Sequence, residues 1–137
     1  MAGSSVTVTK NWMSSDGREL EIKLACVGDD GNGSVPATQI TSATIGATYN
    51  NREYQRAGYK LYEVWVKKGA VAPDAADLTI TDEIGAILFD EDSVIPITGT
   101  KEGTVDKYRL ITSQLTITVA NQATVDALWD IYLRLVK

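Results

Sequence analysis

Carboxylates are the side chains of this sequence whose spacing could support chemistry. They gather in one stretch of the chain, at Asp74, Asp77, Asp82, Glu83, Asp90, Glu91 and Asp92. Such a density of oxygen ligands could hold calcium, although the spacing does not match an EF-hand loop. Asp82 and Asp90 could also form the acid and nucleophile pair that cleaves a glycosidic bond. Asp residues collect in turns because they bond to the local backbone, and we favour that simpler interpretation.

The chain lacks the side chains on which most catalytic sites depend. It has no histidine, so the commonest general base and metal ligand are missing, together with every Ser–His or Cys–His pair. Its one cysteine, Cys26, continues the apolar side of a predicted strand and there acts as a small hydrophobic residue. One thiol forms neither an internal disulfide nor a structural zinc site. We therefore expect a non-enzymatic protein without catalytic residues, cofactors or metals.

The length of the chain indicates a single domain, and its net charge limits the kinds of partner that it can bind. With 137 residues and 44% hydrophobic residues, the chain fits a single folded domain over residues 1–137. Its net charge of −5 argues against nucleic acid and anionic membranes as partners, although Lys and Arg alternate with Tyr between residues 49 and 68. We find no spanning segment and no signal peptide, and we expect the protein to stay in a cytosol-like compartment.

Alternation of apolar and polar side chains predicts strands through most of the chain. Residues 18–26 form a half-buried strand, and a shorter strand with Val6 and Val8 precedes it as the first arm of a hairpin. Glycine, Asp and Asn at residues 28–34 predict a turn, and residues 37–47 specify a strand only weakly.

The second half shows the same period. Residues 59–68 predict a central strand with one face formed by Tyr59, Leu61 and Trp65 and the other by Tyr62, Val64 and Val66. A second hairpin is predicted over residues 78–89, followed by loops around at most a short edge strand. Residues 108–119 and 127–136 predict strands, the latter in preference to a helix from Val125. The expected fold is all-β, an antiparallel β-sandwich or small barrel of about seven to eight short strands with little helix.

Five residues are candidates for an interface. Trp12, Tyr49 and Tyr54 lie beside predicted loops, where exposed aromatic side chains anchor protein contacts, with core packing as the alternative. Val6 and Val8 could extend a neighbouring sheet at its edge.

Several segments of the sequence together resemble those of a known group of proteins. They are the strand that ends in Gly-Asp-Asp-Gly at residues 28–31, the Tyr-rich strand at 59–66, the string Pro-Asp-x-x-Asp-Leu-Thr-Ile-Thr-Asp-Glu-x-Gly at 73–85, and the strands at 115–119 and 127–136. In these features the chain resembles small, acidic, all-β virion structural proteins of tailed bacteriophages, over about two thirds of its length. Residues 41–55 and the ending after Asn121 depart from that pattern.

The resemblance implies a capsid decoration, or cement, protein of the phage virion, assembled in the host bacterial cytoplasm. Such a protein binds the major capsid protein and itself, often as a homotrimer, and stabilises the shell through many weak contacts. It has no catalytic residues. Two alternatives remain open: a tail or head-tail connector component, and a carbohydrate- or receptor-binding β module whose acidic loops hold calcium.

Overall fold

The computed structural model of the chain contains strands, turns and loops, with no helix in the residues that it describes. Those residues are 4–12, 19–40, 48–49, 52–53, 60–82, 85–92, 95, 100–103 and 115–136. Predicted features at residues 14–17, 41–47, 54–59, 83–84 and 104–114 lie outside the described residues.

The strands form two antiparallel sheets. In chain order the described strands are β1 (Ser5–Trp12), β2 (Glu19–Val27), β3 (Thr38–Ile40), β4 (Thr48–Tyr49), β5 (Arg52–Glu53), β6 (Lys60–Lys68), β7 (Asp77–Thr81), β8 (Ile87–Glu91), β9 (Thr100–Gly103), β10 (Leu115–Ala120) and β11 (Leu128–Val136). Sheet 1 has the order β1-β2-β11-β6-β9, and sheet 2 has the order β3-β10-β7-β8. Strands β4 and β5 pair only with each other among the described residues.

One hydrophobic core joins the two sheets. Alternate side chains of β2 and β11 point into it from sheet 1, and Ile80, Phe89 and Ile117 enter it from sheet 2. Within the described strands no ladder connects one sheet to the other, so the arrangement is that of a β-sandwich. The predicted all-β fold is confirmed.

Most predicted strands are present with the expected faces. The hairpins β1–β2 and β7–β8 form, and β9 is a short edge strand of four residues. The terminal segment is a strand, with Trp129, Ile131, Leu133 and Leu135 buried. Unbroken alternation therefore outweighs the helical pattern from Val125, and residues 125–126 form only a turn.

The side chains of strand β6 are not distributed between the two sides of the sheet as predicted. The pairing of β6 with β11 shifts register, because Arg134 lies opposite Glu63 while Leu135 lies opposite Leu61. The extra residue, Tyr62, makes a β-bulge that turns Leu61 to the core side of the sheet. The prediction that Leu61 shares a face with Trp65 was wrong, since strict alternation cannot anticipate a bulge that buries Leu61 against the core.

Three connections cross between the sheets at one end of the sandwich. They run from β2 to β3, from β6 to β7 and from β10 to β11. We call residues 28–34, 69–76 and 121–127 of these connections the crossover end. Gly28 N donates to Ala127 O at 2.8 Å within it, and Leu128 N, at the start of β11, donates to Val71 O at 2.8 Å.

Candidate functional site

The side of sheet 1 that points away from the core carries a continuous set of charged and aromatic residues. We call it the outer face, and its members are Glu21, Lys23, Glu63, Trp65, Asp130, Tyr132 and Arg134. Each alternates with a core residue of β2, β6 or β11, so the period of the strands puts all seven on the same side. All seven are half-buried.

Two aromatic rings occupy the centre of the outer face. Tyr132 lies directly opposite Trp65 across the β6–β11 ladder and opposite Lys23 across the β2–β11 ladder. Lys23 Nζ lies 6.0 Å from the centroid of the Tyr132 ring and 3.9 Å from Asp130 Oδ2. Cross-strand aromatic pairs and cation–π contacts of this kind each stabilise a sheet by about 1 kcal/mol or less.

Arg134 connects the aromatic centre to two carboxylates. Its Nε donates to Glu21 Oε2 at 3.2 Å, and its Nη1 lies 3.6 Å from Glu63 Oε1. Its guanidinium carbon lies 5.8 Å from the Trp65 ring centroid, and Trp65 Nε1 donates to Glu63 Oε2 at 2.9 Å. The Trp65 ring is thus fixed both through its edge and against the guanidinium.

The neighbouring carboxylates change the pKa values of Arg134 and Tyr62. Partial burial alone would lower the pKa of Arg134, but its hydrogen bond to Glu21 and the charges of Glu63 and Glu21 raise it above the ordinary value. Partial burial and the charges of Glu63 and Glu19 raise the pKa of Tyr62. Arg134 therefore stays positively charged and Tyr62 stays protonated at neutral pH.

This geometry suits recognition by contact. Trp, Tyr and Arg are the residues that most often anchor protein interfaces, and here neighbouring side chains already hold them in place. The arrangement offers aromatic surfaces for stacking and charged groups for hydrogen bonding.

A buried amide fixes the crossover end. Gln122 Nε2 donates to Gly33 O at 2.6 Å and to Thr124 O at 3.0 Å, and its Oε1 accepts from Asp74 N at 2.9 Å. Gln122 is the buried polar residue among the described side chains, and its partners lie in all three crossing connections. One side chain therefore holds together the loops that connect the two sheets.

Carboxylates of the predicted acidic cluster accept hydrogen bonds from within the protein. Asp74 accepts from Thr124 Oγ1 at 2.7 Å and from Ala123 N at 2.9 Å, and these bonds lower the pKa of Asp74. Asp82 Oδ1 accepts from Ala86 N at 2.8 Å within the β7–β8 turn. Asp82 therefore acts as the turn interpretation predicts, whereas Asp74 bonds to a connection that is distant in the chain. No group of three or more Asp, Glu, Cys or His side chains that could hold a metal ion occurs in the described part of the chain.

Cys26 lies in the core, where its Sγ is 3.7 Å from Leu24 O. Burial, and to a smaller degree the charge of Asp130, raises the pKa of the thiol to about 12. The thiol is protonated at neutral pH, and its role there is packing.

The five candidate interface residues are placed as follows. Val6 and Val8 lie in β1, half-buried against the core, and Trp12 ends the same strand opposite Leu20. Tyr49 pairs with Arg52 in the short β4–β5 ladder. The side chains of Trp12 and Tyr49, and the whole of Tyr54, lie outside what the structure describes, so their contribution to an interface stays a prediction.

The outer face and the Gln122 contacts were not found from the sequence. Alternation in β11 puts Asp130, Tyr132 and Arg134 on one side, and this pattern is the part of the outer face that the sequence could have indicated. Their partners on β2 and β6 are distant in sequence, and nothing near Gln122 indicates its contact with Gly33, 89 residues away.

In comparisons with known proteins, no family model, curated protein or solved structure matches the chain. Among the described residues, no helix has the length and apolar character needed to span a bilayer.

Proposed function

We propose that this protein is a non-enzymatic structural protein of a tailed-phage virion, and that it acts as a capsid decoration protein. It binds the outer surface of the head and stabilises the shell through contacts with the major capsid protein and with copies of itself. The string at residues 73–85 supports the phage assignment by resemblance, and the sandwich supplies a rigid body for such contacts.

The observation that carries this proposal is the preformed outer face. Trp65 on β6 lies opposite Tyr132 on β11, and Arg134 follows two residues later on β11. Ion pairs to Glu21 and Glu63 hold Arg134, and a hydrogen bond to Glu63 holds the Trp65 ring. Side chains that are already ordered lose less conformational entropy on binding. Repetition over a capsid lattice multiplies a weak contact, so a modest face is sufficient.

The proposal is tested by co-sedimentation with purified phage heads that lack a decoration protein. The wild-type chain is expected to sediment with the heads, and Trp65→Ala to weaken attachment about tenfold or more, because it removes the central anchor of the face. Thermal unfolding of each variant shows that it is folded before it is used.

Ile87→Ala is the matched control, since Ile87 is an exposed apolar residue on β8 of sheet 2, away from the outer face. Its attachment is expected to equal that of the wild type. Failure of the wild-type chain to sediment with heads would reject the decoration role, and equal attachment of Trp65→Ala would reject the outer face as the binding surface.

A second candidate function, carbohydrate binding, is favoured by the adjacent rings of Trp65 and Tyr132, since aromatic side chains stack on the apolar faces of sugars. A glycan array tests it, with and without a calcium chelator. Binding lost only in chelator would support the metal-dependent form of this candidate. A tail or head-tail connector role would instead be indicated by closed rings in electron micrographs of the purified chain.

A further inference from the structure

The end strands of the two sheets differ in how open they are to pairing. In the described part of the chain these strands are β1 and β9 of sheet 1 and β3 and β8 of sheet 2. Strand β3 has three residues and follows Pro36, and β9 has four residues that include Lys101 and Glu102. Strand β8 shifts register against β7 and ends in Asp90 and Glu91. Short length, proline, charge and bulges are the features by which proteins prevent pairing at sheet edges.

Strand β1 has none of these features between Ser5 and Thr9. Its eight residues pair with β2 without a register shift, and this first segment contains no charge, proline or glycine. Val6 and Val8 are half-buried against the core, and Thr7 is exposed on the opposite side. Within the described strands, the second edge of β1 has no partner. Its outward main-chain groups therefore have no strand partner among the described residues, and partly exposed valines lie beside them.

The sequence of this segment, Ser-Val-Thr-Val-Thr, is nearly symmetric about Thr7. An antiparallel pair of two such segments can therefore place Thr7 opposite Thr7, Val6 opposite Val8 and Ser5 opposite Thr9. In that register the valines of both copies lie on the core side and the hydroxyl residues lie on the other side, as the pleat requires. Directly opposite β-branched pairs and Thr–Thr pairs are favourable in antiparallel sheets.

We propose that β1 pairs with β1 of a second copy of this chain, antiparallel and about a two-fold axis at Thr7. The pairing joins the two copies of sheet 1 into one continuous sheet, satisfies the open main-chain groups and covers Val6 and Val8 further. The contact is isologous, so it closes as a dimer and does not propagate into a fibre. Because the axis is perpendicular to the sheet, both outer faces lie on the same side of the dimer.

The test is the mass of the full chain in solution, measured by light scattering over a range of concentrations. The wild-type chain is expected to have the mass of two chains. Thr7→Lys and Thr7→Glu, each alone, place like charges directly opposite each other at the axis and are expected to weaken the dimer about fivefold or more at low ionic strength. An equal mixture of the two variants is expected to restore the dimer, because opposite charges then meet across the axis.

Thr118→Lys is the matched control, since Thr118 is exposed on β10 of sheet 2, and it is expected to keep the wild-type mass. A wild-type monomer at every concentration would overturn the proposal, as would a trimer, a Thr7→Lys variant that keeps the wild-type mass, or a mixture that stays monomeric. The head-attachment assay is read separately, so a monomer that still binds heads would reject the β1 pairing and leave the decoration role intact.

Discussion

At the residue scale, the environment of Cys26 decides what its thiol does. The same side chain on an exposed strand would be a candidate nucleophile or metal ligand. In β2 it lies among core residues and close to the charge of Asp130, and both conditions disfavour the thiolate. The sequence indicated the core side through the alternation of Leu20, Ile22 and Leu24, and the structure supplies the neighbour that reinforces the effect.

This predicts how stability depends on alkaline pH. The pKa of Cys26 is raised from 9.0 to about 12 in the folded protein, so above pH 9 the unfolded chain loses this proton while the folded chain keeps it. The stability contributed by the protonated thiol is fully present below pH 9 and falls as pH rises toward 12, at a limiting slope of about 1.4 kcal/mol per pH unit. Urea unfolding between pH 8 and 10.5 is expected to show a steeper loss for wild type than for Cys26→Ala. Parallel curves for the two proteins would contradict the assignment.

At the element scale, the turns show how local chemistry and close approach combine. In the connection after β2, Asp29 Oδ1 accepts from Gly31 N at 2.8 Å and from Asn32 N at 3.2 Å, as the Gly, Asp and Asn composition predicts. Gly33 follows with a φ of +77°, and a Cβ at this position would lie 2.4 Å from the carbonyl carbon of Ala123. The backbone conformation was foreseeable from the sequence, whereas the contact with the β10–β11 connection was not.

Substitutions at two glycines can distinguish the cost of a positive φ from the cost of a steric clash. Gly85 also has a positive φ, +83°, but no atom of the described residues beyond its chain neighbours lies within 4 Å of an added Cβ. Gly85→Ala is expected to lower the free energy of unfolding by about 1 to 2 kcal/mol, the cost of a left-handed backbone for a residue with a Cβ. Gly33→Ala adds a backbone clash at the crossover end and is expected to cost at least twice as much. Urea denaturation measures both, and equal losses would show that the Gly33 contact is unimportant.

At the scale of the whole molecule, the two sheets depend on the loops that join them. Each crossing connection contributes to the hydrogen bonds of Gln122, through Gly33, Asp74 and Thr124. Buried polar groups are expensive to leave unpaired, so this amide specifies how the three connections meet. The core provides most of the stability by burial, and Gln122 fixes the arrangement of the loops at one end.

Gln122→Leu is expected to lower the free energy of unfolding by about 2 to 4 kcal/mol, because it leaves the carbonyl of Gly33 and the amide of Asp74 without a side-chain partner. Gln39→Leu is the control, since Gln39 is exposed on β3, and its effect is expected to stay within about 0.5 kcal/mol. Chemical denaturation gives both values. Similar losses for the two variants would mean that the Gln122 contacts do not hold the connections together.

The sequence by itself determined the strand content, the buried side of most strands and the absence of histidine. These properties depend on residue type and on a period of two, which are local and can be read along the chain. The alternation of β11 and the absence of histidine needed no knowledge of distant residues.

Only the tertiary structure decided which strands are neighbours, and through them the outer face. Strand β11 lies between β2 and β6, so Arg134 meets both Glu21 and Glu63, and the bulge at Tyr62 turns Leu61 to the core. A period of two fixes the face of each side chain but leaves the order and register of the strands open. Those are set by the joint burial of residues far apart in the chain, which no local pattern records.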